Sequence, residues 1–179
     1  MRSISEPVET MGRDEQVEFA RRIALNQLET RARSANELRR AMAKKHVPQD
    51  IVEELMGRFA AVGLVDDQAF ATALVNTRVK VARRGTRRIR MELREKGVPE
   101  DVAANALAAV DPDDELAAAS EFAAKKARSM QGLELAVAKR RLYGALARRG
   151  FSTDVVRRVT DEALRDRGHT SDDPEAWDG

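Results

Sequence analysis

Apolar residues along this chain fall at three- and four-residue steps, broken at regular intervals by a stop-and-restart signal. Between Thr86 and Leu107, Ile89 and Leu93 share one helical face, Gly97 suits the left-handed position that ends a helix, and Pro99 can open the next. The same order recurs in Leu38, Met42, His46, Val47, Pro48, Asp50 and Ile51, and in Leu142, Leu146, Gly150, Phe151, Ser152, Asp154 and Val155. Leu38, Ile89 and Leu142 are 51 and 53 residues apart, and Phe19-Ala20, Phe70-Ala71 and Phe122-Ala123 recur ahead of them at intervals of 51 and 52. Each unit is therefore two helices around a corner with a third helix before them. A fixed period of this size marks a repeat architecture in which neighbouring units bury one another's apolar sides.

The pattern predicts an all-α protein, an elongated tandem array of three three-helix repeats spanning 14–63, 64–110 and 111–166. Residues 1–13 are expected to be a disordered arm and 167–179 an acidic disordered tail. The first helix is predicted from near Asp14 to Arg31, with Phe19, Ile23 and Leu28 on its stripe. Ser34 and Glu37 have capping-box spacing, and the helix they start is expected to end at His46. The third runs over Gln49 to Val62, with Ile51, Val52, Leu55 and Phe59 inward. In the second repeat Phe70, Leu74 and either Val79 or Val81 should face the core, and Leu64 and Val65 the repeat boundary. Gly85 is read as the breaker and Thr86 as the cap of the following helix. Val155, Val156, Val159 and Leu164 mark the last helix.

Composition narrows the chemistry. Charged residues are 35% of the chain and aromatic ones 4%, which suits thin helices with narrow apolar stripes and broad solvated faces. With no cysteine, disulfides, thiolate metal sites and a cysteine nucleophile are excluded. The first sixteen residues contain no apolar core of a secretory signal, and the longest uncharged run, Val102 to Val110, is too short to cross a bilayer. An intracellular, cytoplasmic protein without membrane attachment is expected.

His46 stands where the other repeats have glycine and reads as a helix C-terminal residue. Asp66 and Asp67 precede a helix; Asp66 reads as its cap and Asp67 as complementing its positive end, since no further ligands converge in sequence. Asp111-Pro112-Asp113-Asp114 is a turn followed by an acidic first helical turn. Triads, phosphate loops and metal constellations are not found, so no catalytic residue and no cofactor is assigned.

The net charge is +2, yet Arg78 to Lys96 holds nine bases against Glu92 and Glu95, while Asp166 to Gly179 is net acidic. Such asymmetry points to a charged partner. The candidate anion contacts are Arg83, Arg84, Arg87, Arg88, Arg90, Arg94 and Lys96. Lys139, Arg140, Arg141, Arg148 and Arg149 form a second candidate patch. The phenylalanines sit at core spacing, so an exposed stacking platform for bases is not expected, and the sequence leaves open which way Tyr143 faces. Trp177 in the acidic tail reads as incidental or as a short docking motif.

Four stretches in order, Arg31 to Leu38 (RARSANEL), Gly63 to Ala71 (GLVDDQAFA), Gly85 to Val98 (GTRRIRMELREKGV) and Lys139 to Phe151 (KRRLYGALARRGF), resemble the RecX family of bacterial regulators. His46 departs from the glycine common at its corner. The resemblance implies a protein of recombinational DNA repair and the SOS response that binds the RecA recombinase filament on single-stranded DNA. It further implies lowered recombinase ATPase and strand exchange, by lodging in the filament groove or obstructing its growth, with no enzymatic activity of its own; a monomer is expected. From the residues alone, an independent DNA-binding helical module or a helical-repeat adaptor without nucleic-acid contact stays open.

Overall fold

The computed structural model describes residues 8–165, so the tail, Trp177 and the first seven residues lie outside the described part. Among the described residues there are nine α-helices and no strand: α1 Arg13–Thr30, α2 Ala35–Ala43, α3 Gln49–Ala61, α4 Asp67–Lys80, α5 Thr86–Glu95, α6 Glu100–Ala108, α7 Pro112–Arg128, α8 Leu135–Arg148 and α9 Thr153–Ala163. They follow one another as three three-helix units. Within the segment assigned from sequence to a disordered arm, Val8–Thr10 forms a 3-10 turn and Val8 is buried, its carbonyl accepting from Gln16 Nε2 at 2.9 Å.

The corners form as the spacing requires. His46 adopts φ 59°, matching Gly97 at 72° and Gly150 at 86°, so a histidine carries the left-handed conformation that glycine takes elsewhere. Pro48 is the N-cap of α3 and Ser152 that of α9. Ser34 and Glu37 form the reciprocal box at the start of α2, with the Ser34 hydroxyl accepting from Glu37 N at 3.2 Å and the Glu37 carboxylate accepting from Ser34 N at 3.1 Å.

The first helix of each unit packs along its predicted stripe, but its most buried position is an alanine. Ala20, Ala71 and Ala123 are each wholly buried, whereas Phe19 and Phe122 are only half-buried beside them. The alanine of the recurring Phe-Ala pair is thus the invariant of the packing, because a bare Cβ lets the helices of a thin bundle approach closely. In α1 the second buried position is Ala24, with Ile23 and Leu28 flanking it. In α4 Val75 and Val79 are buried, Leu74 is half-buried, and Val81 is exposed past the helix end. Val65 is buried but Leu64 is exposed.

The chain divides into two compact units. One comprises the residues up to Ala73 with Glu92–Ala106, and the other Leu74–Met91 with the residues from Leu107 onward. The middle repeat therefore contributes to both cores. In the first, Leu38, Met42, Ile51, Val52, Leu55 and Ala20 form the centre. In the second, Leu142, Leu146, Phe151, Val156, Val159 and Leu164 are buried.

Each unit contains the same junction between successive repeats. In the first, Ser34 Oγ donates to Lys96 O at 2.6 Å, the Gly97 α-carbon lies against Asn36, and Ala35 N donates to Asp67 Oδ1 at 2.8 Å. In the second, Gly85 N donates to Arg149 O at 3.0 Å, Arg87 N donates to Gly150 O at 3.2 Å, and Thr86 N donates to Glu115 Oε1 at 2.9 Å. The start of a repeat's middle helix is thus capped by a carboxylate from the next repeat and seated on its corner. Asp66 caps its own helix through Gln68 N and Ala69 N, as expected. Asp67 lies in the first turn of α4, as expected, and in addition caps α2, serving a helix terminus 32 residues earlier.

Candidate nucleic-acid interface

The second junction positions the arginines. Gly85 and Gly150 meet so closely that a Cβ on Gly85 would lie 2.3 Å from Gly150 C, and one on Gly150 would lie 2.4 Å from Arg88 N. Gly85 lies in the break between α4 and α5, as read, but the left-handed conformation there falls on Arg83, φ 50°, Gly85 is required for approach, and Thr86 is the first residue of α5 rather than its cap. The contact draws the first turn of α5 against the end of α8, and the two basic segments separate in sequence share one surface.

Arg87 and Arg88 from α5 and Arg148 from α8 line a single cavity of about 380 Å³, together with Met91, Tyr143 and Phe151. Arg148 also borders a second recess of about 450 Å³ lined by Lys126, Arg140 and Arg141. Arg87, Arg88, Arg140, Arg141 and Arg148 have no acidic partner among the described residues. Guanidinium groups gathered without counter-charge raise the local positive potential, and a multivalent anion relieves it. Tyr143 is 40% exposed and Met91 53% exposed, and both line this cavity, so the direction of Tyr143 that the sequence left open is outward.

The remaining candidates, Arg94 excepted, are engaged in the fold. Arg83 pairs with Glu121, Lys139 with Asp161 at 3.1 Å, and Lys96 with Glu37 at 3.3 Å. Arg84 and Arg90 also interact with other groups. Arg149 donates to Arg83 O at 3.0 Å and lies 4.1 Å over the Phe122 ring; burial, reinforced by the charge of Arg84, lowers its pKa from the ordinary arginine value. It braces the junction. Arg94 is exposed on the last turn of α5 and falls, with Lys96, in the first compact unit. Charge density in sequence could not separate these groups, because Glu121, Asp161 and Glu37 each lie in another element.

Glu37 is the most perturbed acid. Burial opposes its ionisation, but the hydrogen bond from Arg31, that from Ser34 N and the charge of Lys96 outweigh it, holding its pKa at about 2. No group of three or more metal-binding side chains occurs among the described residues, and no helix there is long and apolar enough to cross a membrane.

Nine helices in three corner-bearing triplets, with a basic cavity at a repeat junction that has no acidic partner for Arg87, Arg88 or Arg148, all among the described residues, define a tandem three-helix repeat protein. The family models for the first, second and third three-helix domains of RecX match residues 20–59, 66–107 and 113–160. The chain belongs to the RecX family. It is 36% identical over 156 residues to the regulatory protein RecX of Streptomyces coelicolor, covering 87% of this chain and 83% of that one. It is 39% identical over 155 residues to that of Corynebacterium efficiens, covering 82% and 74% respectively. The crystal structure of RecX from Lactobacillus salivarius superposes with a TM-score of 0.76 at 20% identity, covering 84% of this chain and 97% of that one, a likeness of fold. The relatives are named as regulatory proteins.

Proposed function

We propose that this chain is a non-enzymatic, cytoplasmic regulator that binds the RecA filament on single-stranded DNA as a monomer and lowers recombinase ATPase and strand exchange. It does so by lodging in the filament groove or blocking its extension, with repeats 14–63, 64–110 and 111–166 as its working units. The observation that carries this reading is the convergence of Arg87, Arg88 and Arg148 on one cavity with no acidic partner among the described residues. A nucleoprotein filament presents a repeating array of phosphates beside protein, and tandem units joined by short connections add weak contacts through effective concentration. Arg140 and Arg141 extend the surface, Arg94 is a further contact, Arg83, Lys96 and Arg149 chiefly hold the junctions, and Lys139 pairs within the third repeat.

The test is recombinase ATPase on single-stranded DNA with increasing amounts of this protein. Wild type should suppress turnover, and Arg87→Glu with Arg88→Glu should relieve most of the suppression while leaving the helical content intact. Full suppression by the double variant would remove these arginines from the site, and no suppression by wild type would remove the reading itself.

A further inference from the structure

The cavity at the second junction is not lined by charge alone. Among the described residues five large apolar side chains are markedly exposed, Val62, Leu64, Val81, Met91 and Tyr143, and two of them face this one recess. Phe151, 2% exposed, closes its inner side, and Thr153 at the start of α9 stands at its edge. Apolar surface left open beside three guanidiniums that have no acidic partner among the described residues suits a ligand with both characters.

We propose that this recess is a seat for a single unstacked nucleotide of single-stranded nucleic acid. The base lies on the Tyr143 ring and the Met91 thioether, and its phosphate is held by Arg87, Arg88 and Arg148. The proposal rests on the nucleic-acid reading above and adds the base to the phosphate.

Three features select this ligand. A base has an apolar face and polar edges, and in a strand it is joined to monoanionic phosphodiesters, so one nucleotide matches both halves of the lining. A volume of about 380 Å³ is at the small end of ligand sites, room for one such group rather than a run of them. A base inside a duplex has both faces covered by its neighbours, so the seat accepts a single strand and refuses a double one. Stacking on a lone tyrosine tolerates any base, because every base offers a π-face. The guanidinium planes of Arg88 and Arg148 bordering the same space can lie against the base as well.

The experiment measures binding of the full chain at low salt to a short oligothymidylate and to an equally long strand whose sugars carry no bases. Wild type should prefer the thymidylate by roughly 5- to 150-fold, the range set by one stacked base. Tyr143→Phe should keep that ratio. Tyr143→Ala should bring it close to one while leaving affinity for the abasic strand and its salt dependence unchanged. Since Tyr143 is exposed, the variant should fold as wild type does, which circular dichroism checks. A wild-type ratio of one, no binding to either strand, a ratio retained in Tyr143→Ala, or an equal loss on both strands would each overturn the seat. So would Tyr143→Ala losing affinity for recombinase free of DNA with the strand ratio intact, which would mark the recess as a pocket for a protein side chain. The base ratio is read without recombinase, and the ATPase test is read without abasic strands, so failure of one is distinguishable from failure of the other.

Discussion

A glycine's worth depends on what surrounds its α-carbon, and two glycines of this chain predict opposite outcomes. Gly57 lies inside α3, and a Cβ added there meets nothing within 4 Å. Gly57→Ala should therefore stabilise the protein by about 0.5 to 1 kcal/mol through lower unfolded-state entropy, seen as a raised thermal midpoint. Gly85 has three backbone atoms of the α8–α9 corner 2.3 Å from the same point, and backbone cannot rotate away. Gly85→Ala should cost at least about 2 kcal/mol by parting the junction. Equal effects of the two substitutions would contradict the junction geometry. In sequence Gly85 reads only as a breaker between helices. The distinction lies in residues some 65 positions onward in the chain, which no local pattern contains.

At the scale of elements, the helix starts are where repeats are joined. Glu37 completes the box at α2 and also accepts from Arg31 and Lys96, with 17% of its side chain exposed. Its folded-state pKa of about 2 lies below an ordinary value of 4.5. A depressed acid contributes stability that is fully present above the unfolded value and is lost as pH falls through the folded one. Wild type should therefore lose roughly 2 to 3 kcal/mol between about pH 5 and pH 2 through this group, in addition to its other carboxylates. Glu37→Gln should be less stable at neutral pH, and the gap should narrow on acidification when urea midpoints are compared. A gap independent of pH would show that the carboxylate's charge is not what holds the box. The box itself was legible from Ser34 and Glu37 alone. That Lys96 shares it was not, since a lysine in a run of bases looks like every other base in the run.

For the whole molecule, the relevant quantity is how many cations remain for a partner after the fold has used its share. Arg87, Arg88, Arg140, Arg141 and Arg148 remain without acidic partners among the described residues, whereas Arg83, Lys96 and Lys139 sit in ion pairs. For single-stranded DNA, log affinity should fall against log salt by about 0.7 per phosphate neutralised. Arg87→Glu with Arg88→Glu should flatten that slope by at least about 1.4, and Lys139→Ala should leave it nearly unchanged. Equal slopes for these variants would mean that the cavity arginines have no special part in binding.

The sequence by itself determined the three corner-bearing triplets, their caps and their order, because helix periodicity, capping chemistry and left-handed stops act over a few neighbouring residues. It also located the basic stretches, since charge is a property of composition. Tertiary structure alone decided which of those bases are spent on the fold, why Gly85 must be glycine, that Asp67 caps a helix it does not belong to, and that Tyr143 opens onto arginines from two elements. Those outcomes depend on which atoms meet across repeats, and such meetings are set by close packing over distances that a local pattern does not encode.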